Sequence, residues 1–354
     1  MSSNQYFFTS KLMHWNEHAN HRDMPWKGEK DPYKIWLSEV ILQQTRVEQG
    51  WAYYNRFIKK YPNIKKLAAA KDTDVFKLWE GLGYYSRCRN LLYTARLITE
   101  KNNGIFPVTY QEVINLKGVG SYTAAAITSF AYNAPHAVVD GNVSRVLSRV
   151  FGIATPIDST KGKKEFEAKA DALLDKKQPA LYNQALMDLG ATICKPRSPL
   201  CEDCPFMKNC KAFVTESQHL FPIKEKQLKI KNRRLHYFIV ETKDGYWIRK
   251  RMENDIWQQL HEFVLIETDI SVDLKSLKKT KAFQSLFPAN QEINEEFEKV
   301  TQQLTHQAIH ASFYKVFLDK WHPGADFFNV SIKQMQKLAF PKLLAAFIKN
   351  YLRP

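Results

Sequence analysis

"LKGVGSYTAAAI" occupies residues 116–127. Gly118 and Gly120 form a tight turn, and a helical pattern follows at once. Ala124, Ala125 and Ala126 keep that helix thin, so a preceding helix can pack closely against it. A turn of this kind leaves backbone N–H groups unpaired at a helix N-terminus, which suits a phosphate. The same G-x-G also fits a plain helix-turn-helix corner, so the flanking sequence must decide.

Downstream, "VVDGNVSRVLSRVF" (138–151) sets Asp140 and Asn142 ahead of a helix with an apolar stripe of Val143, Val146, Leu147, Val150 and Phe151. Either polar residue can serve simply as a cap. Upstream, Glu39 lies within "KIWLSEVILQQT" (34–45), among Ile35, Trp36, Leu37, Val40, Ile41 and Leu42. A carboxyl there is either on a thin exposed edge or kept dry. A dry carboxyl has a raised pKa and can act as a general acid near neutral pH. One protonated and one ionised carboxylate together suit cleavage of a glycosidic bond. The apolar face around Glu39 continues at helical spacing as far as Pro62.

Further out, "ICKPRSPLCEDCPFMKNC" (193–210) holds four of the five cysteines, Cys194, Cys201, Cys204 and Cys210. Four thiolates ligate one zinc ion or one [4Fe–4S] cube. Zinc sites usually pair two C-x2-C knuckles and this C-x6-C-x2-C-x5-C loop has one, so spacing alone leaves both metals open. Pro196, Pro199 and Pro205 stiffen the loop, and Lys195, Arg197, Lys208 and Lys211 surround it. Cys88 reads as an ordinary thiol. The first residues lack a basic-then-apolar signal pattern, and no run approaches the ~18–20 apolar residues of a membrane span. A reducing, cytoplasmic setting is expected, nucleoid-associated if the source is bacterial, with no membrane partner. The net charge of +16 is spread over both halves of the chain, which favours a nucleic-acid partner.

Residues 1–222 read as helix after helix, and 223–232 as a basic linker. Residues 233–354 read as a smaller α+β domain. There "LHYFIVETKDGYWIRKR" gives two β-rich runs around Asp244-Gly245, and "HASFYKVFLDKW" a further strand.

Taken in order, "MPWKGEKDPYKIWLSEVILQQT", "LWEGLGYYSRCRNLL", "LKGVGSYTAAAI", "VVDGNVSRVLSR", "ALMDLGATIC" and the cysteine loop resemble the adenine DNA glycosylases, within the helix-hairpin-helix glycosylases related to endonuclease III. The resemblance implies a multidomain chain. An all-α helix-hairpin-helix glycosylase domain would carry the hairpin at 116–122 and a [4Fe–4S] loop at 194–210. An α+β Nudix-like (MutT-like) domain would follow. It implies that Glu39 protonates adenine and that Asp140 stabilises the sugar cation. Asn142 would position Asp140 and the sugar, with Tyr122 beside the reacting nucleotide. Gln43, Gln44 and Tyr84 would meet or wedge into the duplex, with Gly118 and Gly120 on its phosphates. The cysteines would hold the cluster. The substrate would be duplex DNA with adenine opposite 8-oxoguanine or guanine, and the protein a monomer.

Three stretches depart from the pattern. "DIWQQLHEFVLIE" has His261 and Val264 where the family has Trp and Pro. "QQLTHQAIHASF" aligns Leu304-Thr305-His306 with the family's Phe-Ser-His lesion-reading loop, keeping the hydroxyl and losing the ring. Lys117 stands where the family's turn has proline. The Nudix metal box is absent, so no phosphohydrolase activity is expected. An endonuclease III-type lyase would need lysine where Tyr122 stands. A non-catalytic damage-binding protein would not need Glu39 and Asp140 together.

Overall fold

The computed structural model describes residues 3–225, 230–288, 291–293, 298–321 and 324–352. Part of the expected linker, 226–229, lies outside them. The chain divides into two compact units, residues 1–69 with 90–227, and residues 70–89 with 228–354.

The first unit is helical. The apolar face that runs to Pro62 is not one helix. It breaks into Pro32–Leu42 and Val47–Lys60. Asp31 caps the first piece by accepting from Tyr33 N, with Pro32 at the first helical position. The break falls at Gln43 and Gln44, where Gln44 takes φ +56°. Helix Pro32–Leu42 packs on helix Ser121–Tyr132. The alanines permit this approach, since Ala124, Ala125 and Ala126 are all buried. Helix Gly141–Phe151 buries Val143, Val146, Leu147 and Val150 against Phe8, Leu12, Tyr182 and Phe206.

Gly118 and Gly120 differ in what holds them. Gly118 has φ +85°, and a Cβ there would meet the Asn90 side chain at 2.8 Å. Gly120 is extended, with φ −102° and ψ 179°, and a Cβ there would meet nothing within 4 Å. Among the described residues no group requires glycine at 120.

The second unit holds a six-stranded mixed sheet. Its strands are β1 (Lys231–Thr242), β2 (Gly245–Lys250), β3 (His261–Thr268), β4 (Glu298–Gln303), β5 (Gln307–Phe317) and β6 (Phe327–Val330), ordered β4-β5-β1-β3-β2-β6. β1 runs parallel to β5 and antiparallel to β3. The turn at Lys243-Asp244 makes a hairpin only at its tip, pairing Glu241 with Tyr246 and Thr242 with Gly245. Beyond the tip β3 lies between the two strands. β1 begins at Lys231, inside the stretch read as linker. Phe238, Val240, Val264, Ile266 and Tyr314 cover one face with Phe283 and Phe287. On the other face Phe313 stacks on Phe347 of helix Lys342–Tyr351 at 4.1 Å.

Residues 70–89 were expected within the helical domain, but they join this second unit. Lys77 Nζ donates to Leu338 O (3.0 Å), and Arg89 Nη1 to Gln258 O (2.9 Å). His261 fills its non-family position as a neutral ring. Burial lowers its pKa to about 4, its backbone N–H donates to Ala339 O (2.9 Å), and its ring lies between Phe328 and Phe340.

Candidate active site

Glu39 projects from Pro32–Leu42 and is 6% exposed. Of the two environments the sequence left open, the dry one is observed. Burial pushes its carboxyl up to about 7, Asp140 adds repulsion, and a hydrogen bond from the Tyr122 hydroxyl opposes both. Tyr122 comes from the first turn of Ser121–Tyr132, directly after the glycine turn.

Asp140 caps helix Gly141–Phe151, so the bland reading of that residue is also true. Its Oδ1 accepts from Val143 N and its Oδ2 from Asn142 Nδ2, both at 2.7 Å. Burial raises its pKa on balance, and these two donors, the Asn142 backbone N–H and the charge of Arg145 offset part of the rise. Glu39 has one neutral donor, whereas Asp140 has three donors, a helix N-terminus and a nearby guanidinium. Of the two carboxyls, Glu39 is thus the better placed to hold a proton and Asp140 the better placed to hold a negative charge.

Arg145 fixes how Asn142 faces. Its guanidinium only donates, and Nη2 gives to Asn142 Oδ1 (2.8 Å), which turns the amide NH2 toward Asp140. The same guanidinium holds Cys194 O (2.7 Å) and Gly190 O (2.8 Å).

Glu39, Tyr122 and Asp140 line two adjoining cavities. One, of about 650 Å³, is walled by Arg22, Trp26, Lys27, Asn142 and Gln184. The other opens past Gln43, Gln44 and Ser121. Sequence reasoning missed Arg22, Lys27 and the residue behind them, Asp188. Asp188 is fully buried and accepts from Arg22 Nη1 and Asn20 Nδ2 (both 2.9 Å), with Lys27 Nζ at 3.2 Å. Its signal was a carboxylate inside the apolar run "ALMDLG", the same signal that marked Glu39.

Cys194, Cys201, Cys204 and Cys210 line one small cavity together with Val146, Val150, Ile193 and Leu200. Burial raises the thiols of Cys201, Cys204 and Cys210, and their neighbours add to the rise, Cys204 to about 12. Arg149 Nη1 lies 3.4 Å from Cys194 Sγ and also donates to Lys195 O, while Nη2 donates to Pro196 O. Among the described residues no three of His, Cys, Asp and Glu converge on a single ion position. Four thiols around one cavity are the number of ligands that one [4Fe–4S] cube takes. The donor set fits the cluster.

The remaining expected residues fall elsewhere. Tyr84 and Thr305 lie in the second unit, with their hydroxyl oxygens 2.5 Å apart. Thr305 and His306 occupy the exposed β4–β5 turn. Gln44 and Tyr84 both adopt left-handed backbone, φ +56° and +46°. Non-glycine residues seldom do so, and such strain gathers at functional sites.

Residues 37–175 match the HhH-GPD superfamily of base excision DNA repair proteins, and residues 236–350 match the NUDIX domain. An adenine DNA glycosylase of Buchnera aphidicola subsp. Schizaphis graminum is 30% identical over 338 residues, covering 95% of this chain and 96% of that protein. One from Buchnera aphidicola subsp. Acyrthosiphon pisum is 34% identical over 259 residues, 73% of this chain and 74% of that one. The solved structure of a thermostable thymine-DNA glycosylase is 29% identical with a TM-score of 0.55, covering 60% of this chain and 97% of its own.

Proposed function

We infer from one premise, that the chain belongs to the adenine DNA glycosylase family, that it hydrolyses the N-glycosidic bond of adenine in duplex DNA and so begins base excision repair. The observation that carries the mechanism is a buried Glu39, its carboxyl pushed up to about 7, on the same cavity wall as a hydrogen-bonded Asp140.

Adenine leaves poorly until a ring nitrogen is protonated. Glu39 holds a proton near neutral pH and donates it, and the Tyr122 hydroxyl then stabilises the carboxylate that remains. Departure of the base leaves positive charge on the deoxyribose. Asp140, held by Asn142 and Val143 N, faces that charge. Water then takes the anomeric carbon, directly or after Asp140 has bonded to it. The extruded base enters the cavity of Arg22, Trp26 and Lys27, and the sugar-phosphate lies toward Gln43 and Gln44. The backbone N–H groups of Gly118 and Gly120 hold phosphate, and the open space at Gly120 supports this. Tyr84 fills the gap in the duplex. Thr305 and His306 read 8-oxoguanine opposite the adenine, so that A:8-oxoguanine is preferred to A:G.

The four cysteines hold a [4Fe–4S] cluster, whose iron–sulfur bonds tie the 194–210 loop into one DNA-facing surface. The working division is 1–222, apart from residues 70–89, for chemistry, and 233–354 together with 70–89 for lesion choice, in a monomer. Tyr122 in place of a hairpin lysine makes the enzyme monofunctional, so borohydride should trap no protein–DNA adduct.

The test is adenine release from A:8-oxoguanine, A:G and A:C duplexes by wild type and Glu39→Gln. The amide keeps shape and loses the proton, so release should fall by about 10²–10⁴-fold while duplex binding persists. Near-normal turnover by Glu39→Gln would sink the assignment.

A further inference from the structure

The two hydroxyls assigned to different tasks above are bonded to each other. Tyr84 Oη lies 2.5 Å from Thr305 Oγ1, and both residues belong to the second unit. The tyrosine is otherwise fixed. Its backbone is left-handed beside Gly83, whose carbonyl accepts from Trp79 Nε1 (3.0 Å) and Arg87 Nη2 (3.2 Å). The Arg87 guanidinium also stacks 5.5 Å from the Tyr84 ring. Thr305 is the opposite case. It sits exposed on a turn closed by Leu304 N to Gln307 O (2.7 Å), and among the described residues its hydroxyl has Tyr84 as its partner.

We propose that Tyr84 is a specificity-positioning residue, whose hydroxyl orients Thr305 Oγ1 toward the base opposite the target adenine. The proposal rests on the reading that Thr305 contacts that base. 8-Oxoguanine carries an N7–H donor where guanine offers only an N7 acceptor. Given Tyr84 as the partner for its own proton, Thr305 presents a lone pair to N7–H. Without it, the threonine hydroxyl is a free rotor that must be ordered at binding, and ordering weakens the contact. The ring and the hydroxyl of Tyr84 thus do separate jobs, one common to every duplex and one confined to the lesion.

The experiment is single-turnover adenine release from A:8-oxoguanine and A:G duplexes by full-length wild type, Tyr84→Phe, Thr305→Ala and the double variant. The readout is the rate ratio between the two duplexes. Phenylalanine keeps the ring, and any loss common to both duplexes cancels in the ratio. Tyr84→Phe should narrow the ratio by about 2- to 12-fold, one net hydrogen bond. The double variant should narrow it no further than Thr305→Ala alone. An unchanged ratio in Tyr84→Phe overturns the proposal, as does a double variant whose loss is the product of the two single losses. Wild-type protein that shows no preference overturns the lesion reading and the proposal together, and the wild-type measurement alone identifies that case.

Discussion

Burying a carboxyl beside another one has a cost that pH controls. Glu39 titrates near 7 in the folded chain against 4.5 when exposed. Between those values the folded protein keeps a proton that the unfolded chain has released. Stability therefore falls as pH rises through that window, by on the order of 3 kcal/mol once pH 8 is reached. Glu39→Gln should unfold at higher urea than wild type at pH 8, and the gap should shrink toward pH 4.5. A gap that does not change with pH would mean that Glu39 titrates normally. Adenine release should likewise decline as pH rises through about 7, because the acid loses its proton. Asn142→Ala removes the one side-chain donor that favours the Asp140 anion beside its backbone donors. The acid limb of the pH–rate profile should then move to higher pH, and an unmoved limb would show that Asn142 does not tune Asp140. Glu39 was legible as a charge placed against an apolar pattern, whereas Asp140 read locally as a helix cap and only the family resemblance gave it a further role. Arg22 was not legible, because it meets Asp188 across 166 residues of sequence, and no local pattern encodes that meeting.

The glycine turn makes two separable statements at the level of the element. Gly118→Ala forces a left-handed residue into the Asn90 side chain, and should lower stability by about 1–3 kcal/mol in denaturant unfolding. Gly120→Ala has ordinary backbone and open space, so its unfolding midpoint should match wild type while affinity for undamaged duplex falls. If both variants lose stability alike, the phosphate role of the turn is wrong. Helix existence was readable throughout the first unit because its periodicities are strong. The break after Leu42 was not readable, because the apolar spacing continues across it and only the backbone of Gln44 departs. The sheet was half readable. The Lys243-Asp244 turn announced neighbouring strands, yet β3 separates them, since strand order depends on pairings distant in the chain.

Across the whole molecule, the basic charge and the cysteine loop pointed to a DNA-facing protein with a metal. Anaerobically prepared protein should be brown with about four irons per chain, and stoichiometric zinc without iron would refute the cluster. Cys210→Ser should lower folded yield more than the turnover of what folds. The grouping of residues 70–89 with 228–354 was the feature least visible in sequence, because helix Asp72–Trp79 carries no mark of what it packs against. It also bears on how the chain can be dissected. The polypeptide crosses between the units three times, near residues 69, 89 and 227, so no single cut yields two whole modules. A fragment ending in the linker would keep Lys77, Tyr84 and Arg89 and lose Leu338, Thr305 and Gln258, their partners. Such a fragment is an enzyme with an orphaned insert, and activity it loses reports on that insert as much as on the missing domain. A shuffled or permuted version that respects the fold must carry residues 70–89 along with the sheet.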